Sequence, residues 1–170
     1  MKKILIILLA LMPVMAQAQQ QSYIDLDDTN IAGRIISTKP AMILSGYDPY
    51  LLRFLYNKSG NNEVYAVDFT FCGVDNLWTV EPNTIGVFSM ASGEKVTLQT
   101  YTPSTHKRGT TGYHISTLFL IPDDKLLEML DALIKITIIT DNKTYDVSVD
   151  YDTASVIMLS YLELLSKTGK

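Results

Sequence analysis

Between Tyr50 and Cys72 the chain alternates twice between apolar and other residues. Tyr50, Leu52, Phe54 and Tyr56 are set against Leu51, Arg53 and Leu55, the run Asn57-Lys58-Ser59-Gly60-Asn61-Asn62 intervenes, and Tyr65, Val67, Phe69 and Phe71 alternate again. Side chains two apart share one face of a strand, so this spacing predicts a β-hairpin that presents an aromatic-rich face to a core. The Gly and Asn residues of the intervening run supply the turn, because both tolerate positive φ. Asp68 and Thr70 fall on the opposite face.

The same period recurs downstream. Ile85–Met90 and the alternation of Val96, Leu98 and Thr100 with Lys95, Thr97 and Gln99 predict a second hairpin around Ala91-Ser92-Gly93-Glu94. Tyr113–Ile121 reads as a strand whose last residues, Leu118-Phe119-Leu120-Ile121, are apolar on both faces, as in a strand covered on two sides. Lys135–Thr140 and Lys143–Asp150 predict a third hairpin, with Tyr145, Val147 and Val149 inward. Between Ile31 and Leu44 one or two short strands are broken at Lys39-Pro40, and Thr102–Gly112 reads as a long loop.

Two helices complete the pattern. Pro122-Asp123-Asp124 marks the start of a short helix near 123–133, with Leu126, Leu127, Leu130 and Leu133 on one face. Asp152 or Thr153 caps a C-terminal helix near 153–167 that stops before Gly169. Its broad apolar face takes in Ala154, Ile157, Met158, Tyr161, Leu162, Leu164 and Leu165 and leaves Val156 and Leu159 outside. The expected class is mainly β (α+β): an antiparallel β-sandwich or partly open barrel built from hairpins, with the late helices plugging an end or covering a face.

Lys2 and Lys3, the apolar run Ile4–Leu11 and the small-residue site Ala16-Gln17-Ala18 predict an export signal over residues 1–18. Its uncharged core falls short of the roughly 20 residues that span a bilayer, so no stable membrane insertion is expected after cleavage. Residues 19–30 are polar without periodicity and read as a flexible leader, which leaves 31–170 as a single β-rich domain. Of the 170 residues about 152 remain, enough for one domain with its own core. Removing Lys2 and Lys3 takes the basic residues from 14 to 12 against 18 acidic ones, and the formal charge from -4 to -6. That balance, without a basic run, argues against nucleic acid as a partner. Cys72 is the only cysteine, so stability in an oxidising compartment rests on packing, and a buried inert thiol is its simplest role.

No nucleophile turn and no paired Cys or His-Glu-x-x-His spacing is present, so nothing nominates a catalytic residue, a metal ligand or a cofactor. Aromatic rings are the better candidates for ligand contact. Trp78, between the first two hairpins, and Tyr47 and Tyr50, beside another loop, offer ring faces to a sugar or peptide, although a half-buried core ring is the simpler reading of Trp78. Val156 and Leu159 mark a candidate partner surface on the last helix.

The signal peptide, its Gln-rich junction Gln19-Gln20-Gln21 and the hairpin-helix order resemble the small exported β-rich proteins of unknown function common in Gram-negative gut bacteria. The expected function is that of a periplasmic or secreted, non-catalytic binding protein for a protein, peptide or glycan. The alternative is a small periplasmic hydrolase whose active site is dispersed along the chain. A convergent cleft of His, acid and hydroxyl would favour the hydrolase, and an exposed aromatic or apolar patch the binding protein.

Overall fold

The computed structural model describes residues 22–73, 84–109, 112–141 and 143–170, with the side chains of 73 and 102–114 excepted. In chain order the elements are β1 (Ile24–Asn30), β2 (Gly33–Thr38), β3 (Ala41–Ser45), β4 (Asp48–Ser59), β5 (Asn62–Gly73), β6 (Ile85–Met90), β7 (Lys95–Gly109), β8 (Gly112–Ile121), β9 (Leu133–Ile139), β10 (Thr144–Ser148) and α1 (Tyr151–Thr168). All pairings are antiparallel, in the order β1-β2-β4-β5-β8-β7-β6-β9-β10, with β3 also on β4.

The central hairpin forms as its alternation requires. Tyr50 faces Phe71, Leu52 faces Phe69, Phe54 faces Val67 and Tyr56 faces Tyr65, and all eight are buried. Gly60 opens the turn at φ 58°, a conformation that glycine adopts without steric cost. The connecting pair Gly60-Asn61 thereby fixes the register of the whole hairpin.

The long strand β7 folds the sheet over on itself. Its first part pairs with β6 and its second with β8, and the register breaks between Thr100 and Thr102 and again between Thr102 and Thr105. Such irregularities bend a strand and increase its twist. Inward residues of β2 to β5, β8, β6, β9 and β10 therefore meet in one core with Phe88, Val96, Leu98, Phe119, Ile136, Ile138 and Val147. Gly86 sits among these rings, where an added Cβ would stand 2.9 Å from the Phe88 ring and 3.0 Å from that of Phe119. Only a residue without a side chain lets the two rings meet edge to face, with centroids 5.8 Å apart.

The sheet does not close into a barrel. Where the edges of β3 and β10 approach, Ser148 donates its N–H to Ser45 Oγ across the seam at 3.1 Å. Helix α1 covers the core beside β4, β2, β3 and β9. Its Tyr161 ring packs 4.5 Å from that of Phe54, and its hydroxyl donates to the Leu126 carbonyl.

Four expectations need correction. Ile24–Asn30, read as leader, is strand β1. It pairs with β2 through its backbone while nearly all of its side chains stay exposed, so it leaves no hydrophobic period to read. Thr102–Gly109, read as loop, belongs to β7, whose register breaks interrupt the alternation. The short helix near 123–133 consists of two 3-10 turns, Asp123–Lys125 and Glu128–Leu130, and Leu133 already starts β9. Leu126 and Met129 are the residues buried there, three apart as the tighter helix requires, while Leu127 is exposed. The cap of α1 is Asp150, which accepts the Thr153 N–H, and Gly169 closes the helix at φ 78°.

Candidate functional site

Because Tyr50, Leu52, Phe54 and Tyr56 point inward, the residues between them form the outward face of the larger part of the sheet. Three rows cross β4, β5 and β8. Leu51, Thr70 and Ser116 make the first, Arg53, Asp68 and Leu118 the second, and Leu55, Ala66 and Leu120 the third. Beside the first row lies β3, with Met42 opposite Leu51 and Leu44 opposite Pro49. Met42 and Leu44 are exposed to 57% and 62% of their surface, large values for aliphatic side chains.

An ion pair stands at the centre of these rows. The Arg53 Nε–H and Nη2–H both donate to Asp68 Oδ2 at 2.8 Å, and the Ser116 hydroxyl donates to Asp68 Oδ1. The Asp68 side chain is 8% exposed and that of Arg53 40%, so the carboxylate is sunk beneath its partner. Above the pair lies a depression of about 220 Å³ lined by Pro40, Leu51, Arg53, Asp68 and Thr70.

A hydroxyl hydrogen-bonded to a carboxylate invites comparison with a catalytic dyad, but the charge balance opposes it. Asp68 is already committed to an ion pair with Arg53, which donates two N–H groups to Oδ2. Cys72 lies on the same outward face, one residue beyond Phe71, in register with His114. Burial pushes its thiol above the ordinary value, which favours the unreactive protonated form. The side chains of His106 and His114 lie outside the described residues. Among the described residues no group of three or more His, Cys, Asp or Glu side chains is placed to hold a metal ion.

The ring candidates do not come together. Tyr47 projects fully into solvent from the β3–β4 turn. Tyr50 turns into the core, its ring 5.5 Å from Phe69 and 5.4 Å from Phe71, so its faces are covered. Burial, and then the charge of Asp48, push its phenol up to about 12. Trp78 lies outside the described residues.

On α1, Val156 and Leu159 are exposed to 40% and 43%. Leu162, expected on the buried face, joins them at 43%, while Ser160 is buried and its hydroxyl donates a hydrogen bond to the Ile157 carbonyl. A shallow trough of about 720 Å³ runs beside Leu159 and Leu162. Its other wall is Ser22 and Tyr23, held by Glu163 through the Ser22 hydroxyl at 2.8 Å and the Tyr23 N–H at 2.6 Å.

Sequence reasoning missed the Arg53–Asp68–Ser116 group, although part of its signal was present. Arg53 and Asp68 share the outward face of one hairpin, and a two-residue turn at Gly60-Asn61 places them opposite each other. Ser116 was not accessible in this way, because its approach depends on β8 pairing with β5 across a separation of 48 residues.

Fold and site define a helix-covered, open antiparallel β protein whose outward sheet face carries exposed aliphatic side chains around a neutralised ion pair. No family model, curated protein or solved structure matches the chain.

Proposed function

We propose that the chain is an exported, non-catalytic binding protein of the periplasm that takes a protein, peptide or glycan on the outward face of the larger part of its sheet. The observation that carries this reading is the exposure of Met42 and Leu44 beside the Pro40–Leu51–Arg53 depression. Exposed apolar side chains that adjoin a depression with a few polar groups are the common form of a recognition surface. The export signal read from residues 1–18 supports the compartment, and among the described residues no helix is long and apolar enough to cross a membrane. Against the hydrolase alternative stands the compensation of Asp68 by Arg53.

The test has two parts. The full chain, expressed in a Gram-negative host, should be released by osmotic shock with Gln19 as its first residue. The released protein, applied to peptide and glycan arrays, should bind a subset of ligands that the variant Met42→Asp/Leu44→Asp loses at an unchanged denaturation midpoint. An uncleaved chain retained in the cytoplasm would overturn the compartment. Turnover of ester, peptide or glycoside substrates by the released chain would overturn the non-catalytic reading.

A further inference from the structure

The depression over β4 and β5 has a lopsided inventory of hydrogen-bonding groups. The Asp68 oxygens are engaged: Oδ2 takes two N–H groups of Arg53 and Oδ1 takes the Ser116 hydroxyl, with the carboxylate itself sunk in the sheet, so charge-assisted donors outnumber open acceptors. Arg53 contributes the donors, and a guanidinium carries more N–H groups than the two that Asp68 takes. With 40% of that side chain exposed, the remaining donors are accessible from the depression. Pro40 and Leu51 supply apolar walls and Thr70 a hydroxyl. A fitting ligand therefore brings an acceptor oxygen next to an apolar body.

Charge narrows the choice further. The positive charge of Arg53 is already balanced by a carboxylate in direct contact, so an anionic ligand would set a second negative group on the same cation. The chain as a whole carries a formal charge of -4, which repels anions at longer range. A sugar is also a poor match, since none of the described lining residues Pro40, Leu51, Arg53, Asp68 and Thr70 has an aromatic ring to stack on it.

We infer that this depression binds a main-chain carbonyl of a peptide segment together with an adjoining small apolar side chain, with Arg53 as the donor and Pro40 and Leu51 as the apolar contacts. Asp68 and Ser116 act behind Arg53 as positioning residues, holding the guanidinium in a fixed plane so that its outward N–H groups are preorganised for the carbonyl. The inference rests on the binding reading and names the ligand class for its central depression.

Nuclear magnetic resonance of the mature protein tests it, with the Arg53 Nε–Hε signal as reporter. Three probes are titrated: N-acetyl-leucine N-methylamide, acetate and methyl glucoside. The amide should shift the Arg53 signal and the Leu51 and Thr70 amides saturably, and roughly tenfold more tightly than acetate. Arg53→Lys keeps a cation against Asp68 but not the planar fork, and should weaken the amide roughly tenfold. Leu51→Ser leaves the ion pair intact and should weaken it several-fold, which covers the case in which the Arg53 variant does not fold. A tighter fit for acetate would overturn the peptide in favour of a free carboxylate, and a saturable shift with glucoside would overturn it in favour of a sugar. No saturable shift up to the solubility of the amide overturns the inference alone if the arrays still find a ligand lost on Met42→Asp/Leu44→Asp. If the arrays are silent too, the binding reading falls with it.

Discussion

Burying the carboxylate of Asp68 to 8% exposure is tolerated because both of its oxygens have donors, two N–H groups of Arg53 on one and the Ser116 hydroxyl on the other. Removing the cation strands the anion. We expect Arg53→Ala to destabilise the fold by about 1 to 3 kcal/mol, less than for a fully buried pair because the exposed side of Arg53 admits water. A urea titration at neutral pH measures this, and an unchanged midpoint would show that Asp68 is hydrated without its partner. Tyr50 makes a second prediction at this scale. Its phenol is raised from 10.0 to about 12, so the folded state holds the proton more tightly than the unfolded chain does. The resulting stabilisation is fully present below pH 10.0 and is lost as pH rises through about 12. Tyr50→Phe should therefore flatten the fall in stability across that window, and an identical fall in both proteins would assign it to other groups.

At the scale of elements, α1 is joined to the preceding 3-10 turns by one buried hydrogen bond, from Tyr161 Oη to the Leu126 carbonyl at 3.0 Å. Tyr161→Phe keeps the ring against Phe54 and leaves that carbonyl without its donor. A loss of about 1 kcal/mol is expected, with faster amide exchange confined to residues around the two turns. Exchange raised evenly over the whole sheet would show instead that the helix and turns unfold only with the core. The opposite side of the same helix makes a different prediction. Val156 and Leu159 are 40% and 43% exposed, so Val156→Ser/Leu159→Ser should change stability by no more than about 0.5 kcal/mol. Light scattering over a concentration series then assigns the surface. A lower mass for the variant identifies a contact between copies of the chain, whereas equal masses reduce the row to incidental exposure. Legibility at this scale followed periodicity. The C-terminal helix was readable because its apolar residues repeat over 18 positions, whereas the stretch between Pro122 and Leu133 offered leucines without a sustained period and resolved into 3-10 turns.

Across the whole molecule the open seam is the distinctive feature. Strands β3 and β10 are linked there by the hydrogen bond from the Ser148 N–H to Ser45 Oγ. Ser45→Ala removes the acceptor and exposes a backbone donor to water. Amide exchange at Ser148 should accelerate while the central β4–β5 ladder keeps its protection. An unchanged rate at Ser148 would mean that the seam is held by packing rather than by that bond.

The sequence by itself determined the mainly β class, the inward and outward faces of each hairpin, and the helical C-terminus. These are local properties, since the alternation of side chains along one strand and the turn of a helix depend on near neighbours alone. Tertiary structure decided which face stayed uncovered. Leu118 and Leu120 lie on a strand that reads as covered on both sides, yet their outward face lies half-buried beside the Arg53–Asp68 pair, because α1 packs against the core. It also decided that Ser116 meets Asp68, since that contact follows from a strand pairing over a long separation that no local period encodes.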